Sequence, residues 1–261
     1  FKEEKALISA IEDENLMFKS MWSSNTGIYI IDGARKTYGI KELSRTLDTE
    51  SLNKKYNYYN SMNIDCNFRN FIDGNKKRLN TITYEAEEYV RSVSDKYKGY
   101  EKVISWSGGK DSTIISDIVI NSLNYLEEDI YFVHGDTTLE FKTTEKYLED
   151  FFSNNKYERY PLLVAKSDKN FLKLCDEFGP PSRVMRWCCS IFKTGPISQL
   201  FNEVFPSENI LTFYGIRKNE SSARSKYKRT VKSPKITRQV VASPIFEWMD
   251  IDVWLYIISN G

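Results

Sequence analysis

Six consecutive residues carry the clearest chemical potential in the chain: Ser107, Gly108, Gly109, Lys110, Asp111 and Ser112. Two adjacent glycines let the backbone turn tightly and leave its N–H groups uncovered. With the positive end of a following helix, those donors form an anion site. Ser107 and Ser112 add hydroxyls and Lys110 adds charge. Asp111 is either a helix cap or a ligand for a phosphate-bound Mg²⁺. The stretch is not the common phosphate loop G-x-x-x-x-G-K-S/T, because Ile104 stands where its first glycine belongs and Asp111 follows Lys110. Nor is it G-x-G-x-x-G. A plain strand–helix turn with two glycines is the bland alternative, and the full hexapeptide between strand and helix favours phosphate binding.

Charge forms the second concentration. From Arg217 to Arg238 there are nine Lys or Arg residues and one acid, Glu220, in a chain of net charge +1. Such a patch suits a polyanion, either a nucleotide's phosphates or a nucleic acid. The net charge alone implies no nucleic-acid partner. Cys66, Cys175, Cys188 and Cys189 are too sparse for a disulfide framework. Reduced thiols in a cytoplasmic protein are expected, with a metal or cluster role open for some. Adjacent Cys188 and Cys189 are poorly placed to bridge each other. One histidine, His134, argues against a multi-histidine zinc site and against a serine-protease triad.

The elements that must position these groups follow from pattern. The first ~20 residues read as a helix, with Leu7, Ile8, Ile11 and Leu16 near helical spacing. Residues 27–31 read as a strand, Asp32-Gly33 as a hairpin turn, and a second strand runs through residues 37–39. Residues 50–70 resist assignment; Tyr56, Tyr58 and Tyr59 beside Lys54 and Lys55 form either a packed aromatic patch or a base-stacking surface. A helix is expected over about 73–97. Short apolar runs at 102–106, 130–134, 161–165 and 210–214 read as strands. Helices are expected at about 113–126, 143–153, 168–177 and 251–258. Strands alternating with helices predict an α/β fold, a parallel sheet covered on both faces. The expected boundary leaves a small α+β region at 1–97 and an α/β domain at 98–261. With 41% hydrophobic and 28% charged residues the chain is neither disordered nor a coiled coil. It has no apolar run of about 18 residues, so no membrane span is expected. Phe1 to Lys5 has no signal-peptide character, and the missing initial Met reads as trimming.

Residues 107–112 resemble the S-G-G-x-D-S loop of the PP-loop ATP pyrophosphatases. Four further stretches resemble the phosphoadenylyl-sulfate (PAPS) reductase group of that superfamily, in the family's order. They are His134 to Phe141, Arg186-Trp187-Cys188-Cys189 with Lys193, Gly215-Ile216-Arg217 with Glu220, Ser221 and Arg224, and Ser243-Pro244-Ile245 with Trp248 and Asp252-Val253-Trp254. The departures are a missing glycine after Asp136-Thr137 and Lys142 where proline is common.

The resemblance implies a Rossmann-like sheet that binds ATP or an adenylyl-sulfate nucleotide at its carboxyl edge. Ser105, Trp106, residues 107–112, Asp136, Thr137, Arg217 and Arg224 would then form the nucleotide site, with Lys110, Asp111 and Arg217 closest to the chemistry. Glu220 would orient the arginines. His134 is left as a core histidine, and Trp248 and Trp254 as core. Asp136-Thr137 has an alternative reading as a helix-start turn. For Cys188 and Cys189 the resemblance implies two ligands of a 4Fe–4S cluster, completed by cysteines expected beyond Gly261. The implied activity is sulfur transfer, by adenylylation with pyrophosphate release or by sulfonucleotide reduction. Mg²⁺ would accompany ATP, and a sulfur donor protein or thioredoxin-like reductant would be the partner. Alternatives are a DndC-like enzyme of DNA phosphorothioation, with DNA on the 217–238 segment, and a non-catalytic nucleotide-binding module.

Overall fold

The computed structural model describes residues 8–9, 21–23, 28–31, 34–37, 49–60, 64–124, 129–182 and 184–260. The chain divides into two compact units, Phe1–Lys77 and Arg78–Gly261. The first contains the antiparallel strands β1 (Met21–Ser23), β2 (Ile28–Ile31) and β3 (Ala34–Thr37), and helix α1 (Thr49–Asn60). β2 and β3 pair as the hairpin reading expects, in the register Ile31↔Ala34. The expected N-terminal helix falls almost wholly outside the described residues; Ile8 and Ser9 are helical and buried. Helix α1 occupies the stretch that resisted assignment. Its Asn, Lys and Tyr residues give no clean apolar stripe, so periodicity could not reveal it.

Helix α2 (Ile64–Lys96) is longer than expected, and its residues from Arg78 onward belong to the second unit. Leu79, Ala86, Val90 and Val93 are buried at helical spacing. Arg78 grips the buried carboxylate of Asp252 with two parallel bonds, Nε–Oδ1 and Nη2–Oδ2, each 2.9 Å. Asp252 also accepts from the Met249 N–H at 2.9 Å. About two to three turns further along α2, Glu85 and Tyr89 hold Arg229, whose guanidinium lies 3.8 Å from the Tyr89 ring centroid and pairs with Glu85.

The second unit contains a six-stranded sheet in the order β6-β5-β4-β7-β9-β8. β4 (Glu101–Trp106), β5 (Ile130–Asp136), β6 (Leu162–Lys166), β7 (Ile210–Phe213) and β9 (Gln239–Ala242) are parallel. β8 (Thr230–Lys232) is an antiparallel edge strand. The α/β expectation holds, and β8 and β9 are additions. β8 lies within the basic run and β9 directly follows it, where charge obscures a strand pattern.

The two faces of the sheet bury different side chains, because side chains alternate along each strand. On one face, Val103 and Val133 meet Phe201 and Phe205 around helix α6 (Gly195–Val204). On the other, Trp106, Phe132 and His134 join Phe151, Phe152 and Tyr157 from α4 (Lys142–Phe152) and the turn after it. Helix α3 (Lys110–Leu123) follows the glycine loop, and α7 (Asp250–Asn260) packs beside it. Asp117 on α3 accepts from the Tyr256 hydroxyl of α7 at 2.5 Å and pairs with Lys156. Burial, reinforced by that carboxylate, pushes the Tyr256 phenol well up. Trp254, expected in the core, is 43% exposed while Val253, Leu255 and Tyr256 are buried. The helical phase of α7 turns position 254 outward.

Replacing Arg78 by Met strands a carboxylate that is 2% exposed. The expected loss is about 1–3 kcal/mol, the cost of leaving a buried acceptor without its partner. Urea unfolding measures it, and an unchanged midpoint and slope would refute this role for Arg78.

Candidate nucleotide-binding site

The site lies at the carboxyl edge of the sheet, between β4 and β7. The strand order turns there: β5 and β6 continue to one side of β4, while β7 and β9 continue to the other. Open α/β sheets bind ligands at such a crevice. Strand β4 ends at Trp106, the loop spans Ser107 to Gly109, and α3 starts at Lys110.

The loop is folded by its own serines. The Ser112 hydroxyl donates to the Gly109 carbonyl at 2.8 Å and accepts from the Ser107 N–H at 3.2 Å. Gly108 has φ +73°, a left-handed conformation that glycine adopts without penalty. The Trp106 ring lies directly beneath: a Cβ on Gly108 would be 3.4 Å from it. That ring is 1% exposed, with Tyr147 stacked at 5.8 Å, so it supports the loop from within the core. Its Nε1 has no hydrogen-bond partner among the described residues. Burial pushes the Tyr214 phenol up, against the opposing pull of Gln239 and Ser105. Gly109 gives α3 no side-chain cap. The first N–H groups of α3 therefore keep their donors for an anion.

A buried arginine closes the crevice. Arg217, 2% exposed, follows β7 and directs Nε to Asp111 Oδ1 at 2.7 Å. Its Nη2 donates to Asp250 Oδ1 at 2.8 Å. Lys110 Nζ is 3.1 Å from Asp111 Oδ2 and 4.0 Å from Asp250 Oδ1. Burial works against the guanidinium charge, but the two carboxylates outweigh it and hold its pKa above the ordinary value. Asp250 was not among the residues expected from sequence. Its signal was present: it is the first residue of α7, two before Asp252 in the Trp248–Trp254 stretch. Glu220 accepts from the Arg217 backbone N–H at 3.0 Å and pairs with Arg224. It therefore orients Arg224 through its side chain and Arg217 only through its backbone.

Asp136 ends β5 on the same edge. It accepts from the Thr138 N–H at 2.7 Å and pairs with Lys166, the last residue of β6, at 2.7 Å. Burial raises its pKa, but Lys166 and the Thr138 N–H more than offset that and leave it lowered. Thr137 donates to Glu140 at 2.8 Å. Helix α4 begins only at Lys142, so Thr137 is not its cap. His134 is buried, with Nδ1 3.2 Å from the Trp106 carbonyl.

Cys188 and Cys189 lie in a helical turn, Trp187–Cys189, that leads through a π-turn, Ser190–Thr194, into α6. Arg186 Nη2 lies 3.4 Å from Cys189 Sγ. Among the described residues, no three His, Cys, Asp or Glu side chains converge as a metal site. The pair supplies two thiolates where a 4Fe–4S cluster takes four ligands, so these residues do not by themselves fit the cluster. Cys175 lies on α5 (Phe171–Phe178), and Cys66 lies in α2.

The basic run is sorted by its partners. Arg217, Lys218, Arg224 and Arg229 each pair with an acid. Arg229, part of the run expected to meet a polyanion, is instead anchored on Tyr89, Glu85 and the Pro244 carbonyl. The long planar side chain finds more by stacking on α2 than by full hydration.

Two outcomes follow. A Cβ on Gly215 would lie 2.8 Å from the Asp111 carbonyl carbon, so Gly215→Ala must push the β7 loop off α3. The expected destabilisation is about 1–3 kcal/mol, and an unchanged urea midpoint would refute the close approach. The Asp136–Lys166 pair stabilises the fold above the ordinary aspartate pKa of about 3.9 and loses that contribution as pH falls through the lowered value. In Lys166→Met the Asp136 carboxyl should titrate higher by NMR, and an unmoved titration would dismiss the pair.

Comparison with known proteins places this geometry. The family model for the phosphoadenosine phosphosulfate reductase domain matches residues 101–261. Two uncharacterized proteins of Methanocaldococcus jannaschii are similar: MJ0066, 31% identical over 76% of this chain, and MJ0973, 30% identical over 73%. The chain spans only 39% and 44% of their lengths. Among solved structures, the Candida glabrata FMN adenylyltransferase complex with FAD and inorganic pyrophosphate has the same fold. Its TM-score is 0.52 at 17% identity, covering 71% of this chain and 59% of that one. With the S-G-G-K-D-S loop at the strand switch, these findings make the chain a member of the phosphoadenosine phosphosulfate reductase domain family, within the PP-loop superfamily.

Proposed function

We propose that the second unit binds ATP at the 107–112 loop and adenylylates an oxygen of a substrate that then receives sulfur. The carrying observation is the loop itself: uncapped N–H donors of α3 flanked by Lys110, at the switch point of the sheet. An adenylyl-sulfate nucleotide, which shares the adenosine and α-phosphate, is the alternative ligand. The neighbouring FMN adenylyltransferase, solved with inorganic pyrophosphate and also with ATP, supports the first choice.

In this reading a substrate oxygen bonds to the α-phosphorus while the bond to the β-phosphate bridge breaks. The electron pair leaves with pyrophosphate. Sulfur from a donor then displaces the adenylylated oxygen, and AMP departs. The α3 N–H groups and Lys110 stabilise charge that grows on the leaving pyrophosphate, which is positioning and electrostatics. Mg²⁺ takes one or two carboxylates plus phosphate oxygens, and Asp111 and Asp250 are the residues that would hold it. Bound there, it would neutralise phosphate charge. Arg217 acts by fixing Asp111 and Asp250 against α3 and α7. Arg224, 40% exposed and oriented by its pair with Glu220, is the accessible arginine that meets an anionic group of the ligand.

Lys110→Ala should weaken ATP binding by about 1.5–3 kcal/mol, the range for hydrogen bonds to charged groups. Calorimetry on both proteins checks this, and equal affinities would remove Lys110 from the site. The product test is direct: turnover should release pyrophosphate, whereas orthophosphate release would exclude attack at the α-phosphorus.

A further inference from the structure

Three cations of the basic run that have no acidic partner among the described residues, Lys232, Lys235 and Arg238, gather at the opposite edge of the sheet. A cavity of about 380 Å³ opens there, lined by Tyr100, Asn209 and the β8–β9 connection, including Lys232, Lys235, Thr237 and Arg238. Tyr100 precedes β4, Asn209 precedes β7 and Arg238 precedes β9. The cavity therefore lies at the amino edge, roughly 20 Å from the glycine loop along the six residues of β4.

Its lining has three cations and no acid. Lys232 and Lys235 are exposed, and no acid pairs with either among the described residues. Arg238 is held by three neutral acceptors: the Phe205 carbonyl at 3.2 Å, the Glu208 carbonyl at 2.9 Å and Asn202 Oδ1 at 3.0 Å. Its charge is fixed in place without being cancelled. Arg238 also has φ +65°, a strained value for a residue with a Cβ, and its backbone carbonyl accepts from the Ile210 N–H at 2.9 Å. Lysines on an edge strand often serve only to block pairing with another sheet. That accounts for Lys232, which lies on β8, but not for Lys235 and Arg238 in the connection. Tyr100, half-buried and packed on Tyr97 with ring centroids 5.2 Å apart, lines the same cavity as the cations. Cations beside an aromatic face are the recognition chemistry of a nucleotide: phosphate on the charges, base on the ring.

We propose that this cavity is a second anion site, distinct from the glycine loop, which binds a phosphate-bearing nucleotide with its phosphate on Lys232 and Lys235 and its base against Tyr100. A 5′-phosphorylated dinucleotide is the probe, titrated at low ionic strength and followed by backbone amide NMR. Shifts confined to residues 233–239 report the cavity, and shifts in residues 107–112 report the loop. The cavity shifts should saturate equally in wild type and in Lys110→Ala. They should need about tenfold more probe in the Lys232→Ser, Lys235→Ser double variant, whose spectrum elsewhere confirms the fold, because two charge-assisted contacts are lost. A short single-stranded oligonucleotide distinguishes the source. Tighter binding than the dinucleotide assigns the phosphate to a polymer, and equal binding assigns it to a free nucleotide. Shifts limited to the loop, or unchanged affinity in the double variant, would overturn the proposal while leaving the glycine-loop reading intact.

Discussion

One buried guanidinium organises the carboxyl edge of this protein. Arg217 reaches from the end of β7 to Asp111 in the first turn of α3 and to Asp250 at the start of α7. Three segments distant in sequence meet on a single planar group with donors in fixed directions. A lysine could not replace it, because a point charge cannot hold two carboxylates at set angles. The cluster is balanced, with Arg217 and Lys110 opposite two aspartates. Balance matters because an unpaired charge at this burial costs several kcal/mol.

That clasp explains the tight fit around it. Gly215 sits where any Cβ would strike Asp111, so the β7 loop can approach α3 closely enough for the ion pair to form. Below the loop, the Trp106 ring fixes the height of Gly108, and Tyr147 and Phe151 fix the ring. The serines then tie Ser107 and Gly109 together through Ser112. The proposed anion site is thus preorganised by groups that need not touch the anion. An electrostatic site benefits from this because its donors need not reorient when charge develops.

Helix α2 carries a parallel arrangement at the edge of the second unit. Arg78 and Glu85 point from it to Asp252 and Arg229, each a member of a stretch that also serves the site. Asp252 starts α7 beside Asp250, and Arg229 leads into β8. Lys232, Lys235 and Arg238, which have no acidic partner among the described residues, lie at the far edge, where the β8–β9 connection meets the starts of β4 and β7.

The sequence by itself determined the local pieces. S-G-G-K-D-S between an apolar strand and an apolar-faced helix needs only backbone chemistry to be read, and the structure builds it as expected. Four of the five parallel strands were legible because burial on both faces leaves continuous apolar runs, and so were helices α3, α4 and α5, whereas α6 between β6 and β7 was not. Helix α1, strands β8 and β9 and the helical stretch through Cys188 were not legible, since polar or charged neighbours hide their periods. The tertiary structure alone decided which charges meet. Spacing could place Arg217 near a nucleotide, but not show that its guanidinium is taken by Asp111, 106 residues away, and by an aspartate that no motif had marked. It could count nine cations, but not show that Arg229 stacks on Tyr89 while Lys232 and Lys235 have no acidic partner among the described residues. Pairing of charges depends on distances between remote segments, and only the folded chain sets those distances.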